Sequence, residues 1–170
     1  MMKNLFLLCI SLSVLFFISC LETDASECGL QTNFQNVDQD LLDQGIQEID
    51  QFLSDSSIVA IEDPTGLRYV INQEGVGAQA SLCNDIIVIY EGSILSTGEV
   101  FDSSKNANGE EVPIRLPLSG VIAGWQIGIP KIKQGGSITL YIPSELGYGE
   151  DGSTDIPANS NLKFTVTYIQ

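Results

Sequence analysis

From Thr65 to its end the chain alternates short apolar runs with glycine-rich breaks, and one stretch departs from that rhythm. The runs "LRYVIN" (67–72), "DIIVIYEGSIL" (85–95), "VPIRL" (112–116), "SITLYI" (137–142) and "LKFTVTYI" (162–169) have the composition and alternation of strands. Glycines at 75, 77, 98, 109, 135, 136, 147, 149 and 152 fall between them and mark turns. The exception is "VIAGWQIGI" (121–129), closed by Pro130, in which Val121, Trp125 and Ile129 share one face of a helix. Five strands and one short apolar helix bury their faces together only if the sheet curls round the helix. The expected class is therefore α+β: a five-stranded, twisted antiparallel sheet wrapped around one short helix.

Ahead of this region, Leu42, Ile46, Ile49 and Leu53 recur at helical spacing. Asp38 is placed to cap such a helix and "SDSS" (54–57) to stop it. A helix of about 16 residues is marginal by itself, and this one carries Gly45 inside it. The extra amphipathic helix of segment 38–62 therefore needs a partner surface, either the main domain or a second copy of the chain.

The first residues read as a leader. "MMKN" supplies one positive charge and "LFLLCISLSVLFFIS" (5–19) is mostly apolar. A membrane-spanning helix wants about 20 such residues, so this run is short and fits a signal-peptide core. "FISC" resembles the cleavage box of bacterial lipoproteins, which implies removal of residues 1–19, lipid on Cys20 and a polar tether over 20–37. Uncleaved anchoring, or cleavage without lipid, are the alternatives. Cys9 would leave with the leader, so Cys28 and Cys83 remain as a candidate disulfide in a compartment that permits one. Spacing alone does not establish the geometry such a bridge requires.

Charge and composition exclude several functions. A net charge of −15 excludes nucleic-acid binding, which needs a basic face. With no histidine in the chain, Ser-His and Cys-His nucleophiles and most zinc sites are absent. The paired acids Glu110–Glu111 and Glu150–Asp151 lack calcium-ligand spacing and read as solvated loop charge. One carboxylate stands out. In "GEVFDSS" (98–104), Asp102 follows Phe101 at the edge of apolar sequence, where an unpaired charge is expensive.

The motifs "VIYEG" (88–92), "GEVFDSS" (98–104), "VIAGW" (121–125), "IPSELGYG" (142–149) and "IPANSNLKF" (156–164) occur in an order that resembles the FKBP-type peptidyl-prolyl cis-trans isomerases. The resemblance covers residues 65–170, and it includes bacterial exported lipoproteins of this type, some associated with gliding. It implies an apolar pocket between sheet and helix. Tyr90, Asp102 and Tyr148 are then the catalytic residues. Phe101, Val121, Ile122, Trp125, Ile156 and Phe164 bind the substrate. Without the resemblance, Phe101, Trp125 and Phe164 fit an ordinary core better than a pocket, whereas a buried tyrosine needs a hydrogen-bond partner.

The chemistry implied uses no metal or organic cofactor and moves no proton. A prolyl peptide bond has a rotation barrier of about 18–20 kcal/mol, and a pocket complementary to the twisted amide lowers it. Tyr90 would order Asp102, and Asp102 would set a negative potential beside the rotating carbonyl. Proline-containing polypeptides are the implied partners, with a lipid anchor to the membrane and a monomeric state. Val112, Ile114, Gly120 and Asp155 depart from the usual family pattern, which implies a shallower pocket and weak macrolide binding, and Lys105 is the candidate cation for Asp102. Leu21 after Cys20 points to the outer membrane of a bacterial envelope, on either face. The competing readings are a non-catalytic binding or holdase module and an accessory subunit of an envelope machine.

Overall fold

The computed structural model describes residues 37–170, so the leader read in residues 1–19, Cys20 and Cys28 lie outside the described residues. Cys83 is disulfide-bonded, and its partner also lies outside them. The elements are α1 (Gln39–Asp55), β1 (Ile61–Glu62), β2 (Arg68–Gln73), β3 (Asp85–Ile94), β4 (Val100–Ser103), β5 (Ile114–Pro117), α2 (Ala123–Gly128), β6 (Ser137–Ile142) and β7 (Leu162–Tyr168).

The sheet has seven strands, which corrects the expected five. The two additional ones are β1, with two residues, and β4, with four. β1 is too short to display alternation in sequence, and in β4 a register shift opposite Gly92 and Ser93 interrupts it. All pairings are antiparallel, in the order β1-β2-β6-β7-β3-β4, and β5 also pairs with β3. On one edge β3 thus meets two strands in succession. Its residues 85–88 pair with β5 and its residues 91–93 with β4.

The register defines two faces. Tyr69, Leu140 and Phe164 lie in one row on the inner face with Gly92 and Asp102. Against this face sits α2, whose Gly124 and Gly128 approach β6 closely: a Cβ on Gly124 would come within 2.6 Å of Ile142 Cγ2. Ile86, Val88, Leu118, Ile129, Ile138, Leu140, Ile142 and Leu162 are fully enclosed there.

The outer face carries α1. Asp38 caps the helix, its Oδ1 accepting from Asp40 N at 3.0 Å and Leu41 N at 3.2 Å. Leu42, Gly45, Ile49 and Leu53 are the buried positions, and Ile46 is only half-buried, its side chain instead lying over Gly66. Ile49 and Leu53 pack with Tyr141 and Leu95, and with the half-buried Phe52 and Val70. The helix has no basic residue in its sequence. Its solvent side is laced instead by Gln39–Asp43, Gln44–Glu48 and Gln51–Asp55 hydrogen bonds, each one turn apart.

Beneath α1 lies a buried cation. Arg68 of β2, 7% exposed, donates from Nε and one Nη to the two carboxylate oxygens of Asp50 at 2.8 and 3.0 Å. A third N–H reaches Gly66 O at 3.3 Å. A bidentate guanidinium–carboxylate pair is among the stronger hydrogen-bonded pairs, and this one ties helix to sheet. Replacing Asp50 by Ala leaves the buried guanidinium only the Gly66 carbonyl and the exposed Glu62 carboxylate at 3.6 Å, and we expect a loss of about 2 kcal/mol in urea unfolding. A change under about 0.5 kcal/mol would rank the pair with ordinary surface bridges.

Candidate active site

The alternation of β3 places Val88, Tyr90 and Gly92 on the inner face, and β4 completes the wall beside them. Between the two strands the register shifts: Ser93 faces Val100, whereas Gly92 faces Asp102. Phe101 is the extra residue of a β-bulge. A bulge re-aims side chains, and here it lets two consecutive residues serve one site. The Phe101 ring reaches across Gly92 to meet Phe164, with centroids 5.5 Å apart and planes at 83°. Asp102 meets Tyr90, whose hydroxyl donates to Oδ2 at 2.7 Å.

Gly92 makes this convergence feasible. A Cβ there would lie 2.9 Å from Phe101 Cζ and closer still to Phe164 Cε1. No side chain fits between the two rings.

Trp125 forms the floor, 3% exposed. Its ring stands edge-on to Tyr90, at 5.2 Å and 83°, and to Phe164, at 5.3 Å and 89°. Perpendicular contacts are the geometry that aromatic quadrupoles favour. The indole Nε1 is buried and has no hydrogen-bond partner among the described residues. The segment entering α2 is fixed from within by Gln126, a buried amide that donates to Val121 O at 2.7 Å and Ser119 O at 3.4 Å.

These walls enclose a cavity of about 300 Å³ lined by Tyr90, Asp102, Leu116, Gly120, Val121, Ile122, Trp125, Tyr148 and Phe164. Of the residues singled out in sequence, Phe101 and Ile156 do not line it. Phe101 backs Phe164, and Ile156, 4% exposed, belongs to the core. Leu116, Gly120, Gly92 and Gln126 were not among the sequence candidates. The spacing of "VIYEG" marks Gly92 as a glycine within a strand, which signals a close approach. Nothing in the sequence marks Gln126.

Two hydrogen-bond donors at the cavity wall have no partner among the described residues: the Ile122 N–H and the Tyr148 hydroxyl. Asp102 is exposed at the mouth, not sunk in an apolar wall as "GEVFDSS" implies. Edge strand β4 leaves one side of the carboxylate to water, which removes most of the expected cost of the charge. Lys105 does not neutralise Asp102. Its Nζ pairs with Glu91 at 2.7 Å.

Residues 77–169 match the model of the family described as FKBP-type peptidyl-prolyl cis-trans isomerase. The chain belongs to this FKBP-type family. Among curated relatives, it is 45% identical over 107 residues to the probable FKBP-type isomerase FkpA of Neisseria meningitidis, covering 62% of this chain and 38% of that protein. It is 39% identical over 105 residues to the peptidyl-prolyl cis-trans isomerase Mip of Coxiella burnetii, covering 61% and 44%. The crystal structure of FkpA from Escherichia coli superposes with a TM-score of 0.65 at 35% identity, covering 77% of this chain and 59% of that one. The matched region thus spans less than half the length of these curated relatives.

The FKBP-type site also sets its own acid–base behaviour. Burial raises the Tyr90 phenol pKa above the ordinary 10.0, and the hydrogen bond to Asp102 and that group's charge raise it further. Tyr148 is raised by burial and then by Asp102. A group whose folded pKa lies above its unfolded value contributes stability that is present below the unfolded pKa and lost as pH rises through the folded one. We expect Tyr90 to stay protonated at alkaline pH where a free phenol ionises. Asp102→Asn should lower its titration without restoring the ordinary value, because burial persists. Ultraviolet phenolate difference absorbance, with Tyr90→Phe for assignment, measures this; identical titrations of wild type and Asp102→Asn would break the coupling.

Proposed function

We propose that the chain accelerates rotation about X–Pro bonds in exported polypeptides. The observation that carries the reading is the combination in one cavity: a floor and wall of perpendicular aromatic rings, two unpartnered donors, and one carboxylate held by a phenol. The proline ring seats on Trp125 against Val121, Ile122 and Phe164, with Phe101 behind. The Ile122 N–H and the Tyr148 hydroxyl accommodate carbonyl oxygens on either side of the twisting bond.

Nothing covalent is required. Rotation destroys amide resonance, so the twisted amide differs from both ground states in shape and in charge. A dry pocket that binds the twisted form better than the planar ones lowers the barrier. Four decades of rate correspond to roughly 5.5 kcal/mol of such preference. Asp102, oriented by the Tyr90 hydroxyl, presents negative potential beside the carbonyl carbon. It acts as a fixed charge and not as a base.

We extend the reading to location. Lipidation at Cys20 would tether the domain in a bacterial envelope, with the outer membrane favoured by Leu21. Cys28 is the proposed partner of Cys83. Loss of labelled-palmitate incorporation in Cys20→Ala is the expected result, and undiminished labelling would remove the anchor from the proposal.

The catalytic reading is tested by a proline-peptide isomerisation assay on the chain, wild type beside two variants. Asp102→Ala should lose about tenfold in kcat/KM and Trp125→Ala about a hundredfold, or roughly 1.4 and 2.7 kcal/mol of transition-state stabilisation. Uncatalysed rates from the wild type would leave only a binding module.

A further inference from the structure

We propose that α1 is a positioning element for Tyr148, acting through a buried hydrogen-bond relay. The helix lies outside the residues that match the family model, and it begins more than a hundred positions before Tyr148. Its midpoint nevertheless touches the segment that presents that tyrosine.

The starting point is Gly45. A glycine inside a helix costs about 1 kcal/mol relative to alanine, and this one is buried. A Cβ at that position would lie 2.8 Å from Asn161 Oδ1 and 3.3 Å from Pro143 Cβ. Glycine therefore permits the helix to approach the Pro143–Ser144 backbone closely. At that distance Asn161, 7% exposed, donates from Nδ2 to Gly45 O at 3.3 Å and to Glu48 Oε2 at 2.9 Å. Its Oδ1 accepts from Ser144 N at 3.1 Å.

Ser144, 3% exposed, continues the relay from its own carbonyl oxygen. That oxygen accepts from Gly147 N at 2.8 Å and from Gly149 N at 2.9 Å. These two amides flank Tyr148 on either side. At the helix N-terminus a separate tie runs from Asp38 N to Glu145 Oε2 at 3.2 Å. Tyr148 itself is 39% exposed, and its hydroxyl has no partner among the described residues. Its position depends on its backbone, which the Ser144 carbonyl holds through both flanking amides, while Gly152 N donates to Tyr148 O at 3.2 Å and Asn159 N to Gly149 O at 2.8 Å from the other side.

Asn161 is the central positioning residue, with Gly45 setting its distance. The consequence is that a change on the outer face of the sheet reaches the pocket without altering any residue that lines it.

The test uses the whole chain carrying Gly45→Val, which pushes α1 away from Asn161 and Pro143. Amide hydrogen exchange at Gly147 and Gly149 should speed about tenfold, while exchange at Val88 in β3 stays unchanged, separating local loosening from global unfolding. Unchanged exchange at the two glycines would overturn the proposal. In the isomerisation assay, which rests on the function proposed above, Gly45→Val should lower kcat/KM about fivefold in the wild-type background. In a Tyr148→Phe background it should lower it less than twofold, as expected for residues acting through one group. Equal losses in both backgrounds would show a general structural effect and refute the relay. If Gly45→Val does not fold, Glu48→Ala removes one acceptor of Asn161 from the exposed side, and about threefold faster exchange at Gly147 and Gly149 is expected. A wild type without isomerase activity would end the functional reading, yet the exchange measurement would still decide the relay.

Discussion

Strand β3 carries the demands of the whole domain. One of its edges is paired with β7, and the other is divided between β5 and β4. Its inner face must supply apolar core at Val88, a phenol at Tyr90 and an empty place at Gly92, all at the fixed spacing of two. The bulge at Phe101 then compensates for the divided edge. It turns a break in the hydrogen-bond ladder into the arrangement that brings a ring and a carboxylate to one cavity. A regular β4 would send Phe101 and Asp102 to opposite faces, and a side chain at position 92 would collide with the Phe101 and Phe164 rings.

Electrostatics is as economical as the packing. Arg68, Lys105, Arg115 and Lys131 each stand within ion-pair distance of a carboxylate: Asp50, Glu91, Asp85 and Asp63 respectively. Among the described residues, Asp102 is the only charged one lining the cavity. Its ordering comes from a neutral phenol and not from a cation, so its negative potential is directed without being cancelled. On α1 the acids are partly engaged by glutamine amides.

Much of this was legible in the sequence because alternation and glycine breaks are local signals. The five expected strands and α2 follow from their own residues, and the site's aromatic set follows from motif order. What escaped depends on tertiary contact. β4 is four residues long and interrupted by a bulge, so its segment reads as a turn until β3 is beside it. Ile46 has helical spacing toward the core, yet Gly45 is the residue that must be buried there, because Pro143 and Asn161 leave no room for a side chain. Gln126 has no distinguishing local pattern; its importance comes from the carbonyls at Ser119 and Val121 that it happens to reach. The supposed burial of Asp102 was an inference from apolar neighbours, whereas exposure at a sheet edge is set by what does not cover it.

Trp125 is the single tryptophan of the chain, and it forms the floor of the cavity with its indole N–H unpartnered among the described residues. Indole emission responds to local polarity and to nearby quenching groups, and in this molecule all of it originates at one place. Excited selectively from the five tyrosines, the indole emission of the intact protein is thus a signal from the pocket alone. An entering proline ring would displace water from the emitting surface itself, so the fold carries a built-in optical reporter of occupancy.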